Sequence, residues 1–227
     1  LIRFTYRYAD MCISNSKYIS KKYNEIYNIK FKTIFPPSFI DIHNFKKKDT
    51  SPKKITYIGT VCRLTKEKGL KKFFNTIAKL KFNFKFIIIG EGPEKNDLKK
   101  LSKELGIDKK VIFKGFKHYN EIKIILKKFD FFINCSYFEG FPNSVVESIA
   151  NGIPVIASQS HGGINEIIKN KMFGHIYQNE KELIDLLTNY NLAAKKIILN
   201  KKITLSHLKR FSLDENIKNY SKIFMNI

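Results

Sequence analysis

Between residues 54 and 190 the chain alternates short runs of β-branched and aromatic residues with stretches whose apolar residues recur every three or four positions. The runs are Lys54–Val61, Phe84–Ile89, Val111–Phe116, Asp130–Cys135, Val155–Ala157 and Phe173–Tyr177. The second is nearly all apolar, as a strand buried on both faces of a parallel sheet must be. Helical periodicity follows Gly69 and recurs over 95–105, 119–127, 145–150, 180–190 and 192–202. Such an alternation predicts an α/β domain, doubly wound about a parallel sheet, with its ligand at the carboxyl ends of the strands. Function is therefore to be sought in the loops that follow the strands.

The richest loop lies in Tyr137–Ala157. Glu139 and Glu147 stand eight positions apart, with the tight turn Gly140-Phe141-Pro142 between them. Asn143 and Ser144 open an apolar helix, Val145 to Ala150, which Gly152 and Pro154 stop. Amides at a helix start lack intrahelical partners, and the dipole adds positive potential, so an anion is favoured there. Glu147 lies about one turn inside the helix, and carboxylates beside a phosphate suit hydroxyl groups. A phosphate flanked by polyols is a nucleotide sugar. After the first strand comes Cys62-Arg63-Leu64-Thr65-Lys66-Glu67-Lys68-Gly69, and Arg63 stands out in a chain with only four Arg. Its planar fork can clasp two phosphate oxygens. Gly90-Glu91-Gly92-Pro93 permits close approach of backbone to a ligand, or is a plain strand-to-helix turn. Phe116, after Gly115, is either a contact residue or a core aromatic. Gly162-Gly163 before a short apolar helix makes a second backbone nest that can face an anion.

The stretch from Glu139 to Glu147, with Gly-Phe-Pro between and Gly-x-Pro-Val-Ile-Ala after, resembles the Glu-x7-Glu motif of the retaining GT-B enzymes called glycosyl transferases group 1. The likeness covers most of the chain and is strongest over 54–170. It implies a Rossmann-like donor-binding domain, the C-terminal half of a two-domain enzyme. Arg63 and Lys68 match the family's diphosphate-binding pair. Glu139, with the Gly140-Phe141 backbone, matches the group that fixes the donor sugar, and Glu147 matches the ribose ligand. Asn143 and Ser144 would add amides to the phosphates. Glu91, Phe116 and Lys117 would lie beside the nucleotide base. Gly163 would border the donor pocket, with Glu166 capping its own helix and His161 near the cleft. The implied reaction is metal-independent, retaining, hexosyl-type transfer from a nucleotide-diphosphate sugar to a glycan or lipid-linked acceptor in envelope polysaccharide synthesis, with no cofactor. The linker departs from the family's Pro-Asn-Gly-x-Asp, reading Pro36-Pro37-Ser38-Phe39-Ile40-Asp41.

The domain reading follows. Residues 1–37 are a remnant of an N-terminal acceptor domain, with Ser16 capping a helix over 17–27. Residues 38–53 form a polar loop, 54–205 the nucleotide-sugar domain, and 206–227 a terminal helix whose Ile217, Tyr220, Ile223 and Phe224 face turns back toward the first domain. The chain opens on Leu1 rather than Met, so the expectation is a fragment, inactive alone, that lacks its true N-terminus. The formal net charge of +22 rests on Lys. It points first to codon bias, then to peripheral contact with an anionic membrane. No nucleic-acid motif accompanies it, so no nucleic-acid partner is expected. No run of 18 apolar residues and no secretory signal is seen, though a missing N-terminus could hide either. Three cysteines in a Lys-rich chain suit a reducing cytoplasm, with peripheral attachment at the inner face of the membrane as the further reading. Cys12, Cys62 and Cys135 lack metal-ligand spacing, as do the five histidines, and no metal is expected. Two other functions remain: a fragment that binds nucleotide sugar without turnover, and a basic module for membrane or nucleic acid.

Overall fold

The computed structural model describes residues 5–38, 40, 45, 53–189 and 200–225. Its centre is a six-stranded, all-parallel sheet. A smaller unit precedes it, in which strands β1 (Cys12–Ser14) and β2 (Phe31–Thr33) pair in parallel around helix α1 (Lys17–Tyr27). Ser16 caps α1 as expected, its Oγ accepting from the Ile19 amide at 3.2 Å.

The main sheet contains β3 (Thr56–Val61), β4 (Phe84–Ile89), β5 (Val111–Phe113), β6 (Phe131–Asn134), β8 (Val155–Ser158) and β10 (His175–Tyr177). Two short strands, β7 (Phe138–Glu139) and β9 (His161–Gly162), pair with each other outside it. The helices are α2 (Leu70–Ile77), α3 (Lys95–Glu104), α4 (Tyr119–Leu126), α5 (Asn143–Ala150), α6 (Ile164–Ile167), α7 (Glu180–Thr188), α8 (Lys201–Leu208) and α9 (Leu213–Phe224). Strand order is β10-β8-β6-β3-β4-β5. The chain winds outward from β3 through β4 to β5, then returns to β6 and winds the other way. The point of reversal lies between β3 and β6, the place where open α/β sheets characteristically bind their ligands.

Side chains alternate across the strands and build two cores. Ile58, Phe86, Ile88, Phe131 and Ile133 pack with Phe73, Phe74 and Ile77 of α2, Leu98 of α3 and Leu183 of α7. Ile87, Ile89, Phe132, Val155 and Ala157 pack on the other face with Leu126 of α4, Val146 and Ile149 of α5, and Leu208. Both faces are covered, which explains the continuous apolar runs. Asp130 pins the first pair of central strands. It is 1% exposed, accepts from the Tyr57 amide at 2.8 Å and is met by the Lys53 ammonium. At the other end of the chain, Phe35, Phe141 and Phe211 form an aromatic cluster, with centroids 5.0–5.5 Å apart. Arg210 lies over the Phe211 ring. Ser38 donates its amide to the Phe211 carbonyl at 2.8 Å, so residues 34–38 run beside the terminal helices.

Several sequence expectations need adjustment. The third strand stops at Phe113, short of Phe116. The helix after the Gly-Phe-Pro turn begins at Asn143, with Pro142 as its N-cap. Helix α8 crosses the expected boundary at 205; most of the helix expected over 192–202 lies outside the described residues, as does most of the 38–53 loop. On α9, of the face expected to turn back toward the first domain, Ile223 is buried while Ile217 and Phe224 are exposed.

Two measurements check this packing. A Cβ at Gly59 would stand 2.0 Å from the buried Phe129 ring. Gly59→Ala should lower unfolding free energy by about 1–3 kcal/mol, the cost of overpacking, read from the urea midpoint. His207 stacks on Phe173 at 4.0 Å, and its Nε2 meets the Ile167 carbonyl at 2.8 Å. Burial holds its imidazole below the ordinary 6.5. The unfolded chain therefore takes up this proton at higher pH than the folded one. The stability it contributes is complete above about 6.5 and is lost as pH falls through the lowered value. His207→Gln should flatten that part of the stability–pH curve.

Candidate functional site

The loops after β3 and β6 flank the point of reversal and are locked to each other by backbone. Tyr137 donates its amide to the Glu67 carbonyl at 2.8 Å, and the Cys135 thiol reaches the Lys68 carbonyl at 3.1 Å. Gly69 has φ +67, and a Cβ there would stand 2.1 Å from the Cys135 carbonyl oxygen. Only glycine allows the loops so close. The result is an ion pair between Lys68 Nζ and Glu139 Oε2 at 2.6 Å, with side chains only 16% and 13% exposed. Charges so withdrawn from water persist only when paired, so the sequence-predicted Lys68 and Glu139 do meet. Arg63 stands exposed on the same loop. The hydroxyl of Thr65 chiefly holds the Glu67 carboxyl below its usual range, with smaller attractions from Lys68 and Arg63.

Glu139 is held from its other side by β9. Gly163 donates its amide to the carbonyls of both Glu139 and Gly140 at 3.1 Å. Gly162 has φ +138, and a Cβ there would overlap the Glu139 carbonyl. The expected nest at Gly162-Gly163 is thus corrected: the Gly163 amide faces protein carbonyls rather than an anion. Gly140 passes close to Asn15, and the Phe141 ring lies in the aromatic cluster. What Gly140 and Phe141 offer a ligand is backbone.

Helix α5 begins next. The Val145 amide returns to the Pro142 carbonyl at 3.0 Å, and helix geometry leaves over the amides of Asn143 and Ser144. The Asn143 side chain does not cap the helix. It accepts from Ser38 Oγ at 3.2 Å and donates to the Pro37 carbonyl at 3.3 Å, tying the chain before β3 to the motif. Glu147, half-buried, follows one turn later.

The loops after β4 and β5 complete the rim. Gly90 donates to the Gly115 carbonyl at 2.8 Å, and Leu64 to the Glu91 carbonyl at 2.9 Å. The glycines at 90 and 92 fit tightly against the Cys62–Leu64 backbone. Loop-to-loop packing therefore accounts for them without a ligand. The Glu91 carboxylate meets Lys95 at 2.6 Å, and Lys117 meets Glu121 at 2.7 Å. Phe116 is 68% exposed, which excludes the core reading.

One constellation was not foreseen. Glu166, expected to cap its own helix, instead accepts from the Tyr18 amide at the start of α1, at 3.2 Å. Tyr18 Oη also meets His161 Nδ1 at 3.2 Å. Burial raises the Glu166 carboxyl above its ordinary range. No local pattern announces a contact across 148 positions; the Ser16 cap and the Gly162-Gly163 turn mark the two partners only separately. Among the described residues no group of three or more His, Cys, Asp or Glu is placed to hold a metal, and no helix is long and apolar enough to cross a membrane.

The family model for glycosyl transferases group 1 matches residues 41–204. The chain is 32% identical over 187 residues to the N-acetylgalactosamine-N,N'-diacetylbacillosaminyl-diphospho-undecaprenol 4-alpha-N-acetylgalactosaminyltransferase of Campylobacter jejuni, covering 80% of this chain and 50% of that one. It is 36% identical over 129 residues to the alpha-monoglucosyldiacylglycerol synthase of Streptococcus pneumoniae, over 55% of this chain and 29% of that one. Among solved structures, an Anabaena protein in complex with UDP and glucose superposes with a TM-score of 0.80 at 19% identity, over 96% of this chain and 64% of that one. A lipopolysaccharide outer core galactosyltransferase superposes at 0.79 with 24% identity, over 97% and 63%. These superpositions establish a shared fold. The chain spans half the length of the Campylobacter relative.

The thiols on the locked loops report on their packing. Burial pushes the Cys62 thiol up to about 11 and the Cys135 thiol higher still. At pH 8 a thiol of that kind is about one-thousandth thiolate, and the thiolate is the reactive form. Iodoacetamide at pH 8 should leave both residues unmodified in the folded protein and alkylate them in urea, as read by peptide mass spectrometry.

Proposed function

The chain belongs to the glycosyl transferases group 1 family, and on that footing we propose that its strand-end rim binds a nucleotide-diphosphate sugar whose sugar is then transferred to an acceptor. Donor binding is proposed for this chain, and transfer for the whole protein. The observation that carries the reading is the Lys68–Glu139 pair, held at the sheet's point of reversal by two locked loops. A lysine kept there by one carboxylate has donors left for phosphate oxygens, and the carboxylate has lone pairs left for sugar hydroxyls.

In this reading Arg63 and Lys68 take the diphosphate, joined by the Asn143 and Ser144 amides at the start of α5. Glu147 holds the ribose hydroxyls. Glu139, with the Gly140-Phe141 backbone, fixes the sugar. Glu91, Phe116 and Lys117 border the base, Phe116 offering an exposed ring for stacking. The acceptor hydroxyl attacks the anomeric carbon on the face the diphosphate leaves. The carbon–oxygen bond to phosphate breaks, its electron pair departs with the diphosphate, and a phosphate oxygen receives the acceptor's proton. The cations and the helix amides stabilise the growing negative charge in place of a metal ion. Configuration is retained, and the sugar is of hexosyl type.

The Anabaena structure in complex with UDP and glucose makes UDP the first nucleotide to try. The names of the Campylobacter and Streptococcus relatives favour a lipid-linked acceptor and a role in building envelope glycans. The excess of Lys suits peripheral attachment to the anionic inner face of a membrane.

Isothermal titration with UDP and UDP-hexoses tests the assignment. Arg63→Ala and Glu147→Gln should each weaken UDP binding about tenfold or more, near 1.4 kcal/mol. Glu139→Gln should spare UDP and weaken the UDP-hexose. Unchanged affinity in the first two variants would overturn the site.

A further inference from the structure

A trough of about 790 Å³ lies on the second face of the sheet, where β4 and the edge strand β5 meet α4. Its size falls within the roughly 300–1,000 Å³ of clefts that hold ligands. Ile87 and Ile112 of the strands and Ile124 and Ile125 of α4 line it, with Tyr57 of β3. Ile124 is 64% exposed, so the apolar wall reaches the surface. The trough runs the length of the strands. Lys114 and Lys117 follow β5 at one mouth. At the other stand Lys53 and Asp130, ahead of β3 and β6, and Lys128, just past α4. Of all these residues, only Lys117 belongs to the rim described above.

Charge narrows the occupant. Both carboxylates in the lining are already matched: Lys53 holds Asp130, and Lys117 holds Glu121 at 2.7 Å. Lys114 and Lys128 are exposed and, among the described residues, meet no carboxylate. One spare ammonium therefore stands at each mouth of an apolar trough. Across β5, on the opposite face of the sheet, a second hollow sets Lys99, Lys100 and Lys103 against a single carboxylate, Asp108. The β5 edge is thus flanked by surplus positive charge on both sides. A second copy of this chain would bring the same surplus, part of a net +22, and be repelled. A nucleic acid would answer the lysines and leave the isoleucines without a partner. An anionic phospholipid answers both, with an acyl chain for the isoleucines and a phosphate for the ammonium groups.

We propose that this trough is the seat of an anionic phospholipid, which holds the β5 edge of the protein against a bilayer. Lys114 and Lys128 take the headgroup phosphates, and Ile124 enters the acyl boundary. This rests on the reading that the chain attaches peripherally to an anionic membrane, and it gives that attachment a place. It is independent of donor binding.

Co-sedimentation with vesicles of phosphatidylcholine, alone or mixed with phosphatidylglycerol, tests the seat. The protein should pellet with the anionic vesicles and not with the neutral ones. Lys114→Gln/Lys128→Gln and Ile124→Ser should each weaken this binding about tenfold, while Lys201→Gln/Lys202→Gln, which removes the same charge from α8, should change it by less than about twofold. The chain has no Trp, so Ile124→Trp introduces a single indole. Its emission should shift to the blue on anionic vesicles and be quenched by brominated acyl chains. Ile124 and both lysines are exposed, so folding should survive, as checked by the thermal midpoint, and titration with UDP should be unchanged. If the wild-type protein ignores anionic vesicles, the attachment reading itself fails, and the seat with it. If it binds them but the trough variants behave like the α8 pair, or the indole stays unshifted, attachment stands and this seat is overturned. Loss of affinity for single-stranded RNA in the Lys114/Lys128 variant, with vesicle binding intact, would give the face to nucleic acid and overturn it as well.

Discussion

Two loops, from the ends of neighbouring strands that the chain reaches 70 residues apart, are fastened backbone to backbone, and everything at the strand-end rim depends on this. The Tyr137 amide on the Glu67 carbonyl and the glycine at 69 bring Lys68 under Glu139. A half-buried ammonium and carboxylate would each be costly alone. Together they form a small polar centre with unused bonding capacity on both partners. Because the pair is built by backbone contacts, it stands ready before any ligand arrives, and the entropy of assembling it is met during folding.

The topology explains why that centre sits where it does. Any doubly wound sheet has one place where successive connections part to opposite sides, and there the loops diverge and leave room. Here the parting lies between β3 and β6, and the loop of each supplies one member of the pair. Arg63 lies on the loop after β3, and α5 follows the loop after β6.

Much of this was legible from sequence because the signals were local. Continuous apolar runs announce strands buried on both faces, and Ser16 before an amphipathic stretch announces a cap that the Ile19 amide fills. Glu139 and Lys68 could be named because each belongs to a spaced motif. What could not be read were contacts set by tertiary closeness. Gly90 and Gly92 read equally as room for a ligand or as a plain turn, and they fit tightly against another loop. The Gly163 amide looked outward and turns to carbonyls. Glu166 looked like a cap for its own helix and serves a different one far away in sequence. A residue's type states what bonds it can make; only the fold decides which partner comes within reach.

Phe141 carries two duties in one residue. Its backbone belongs to the loop beside Glu139, while its ring is gripped by Phe35, ahead of the sheet, and by Phe211, near the far end of the chain. Segments remote in sequence thus hold the loop beside Glu139. A change at either distant phenylalanine would loosen the Gly140-Phe141 turn as well as the terminal packing, so the set of this loop is fixed by residues well outside it.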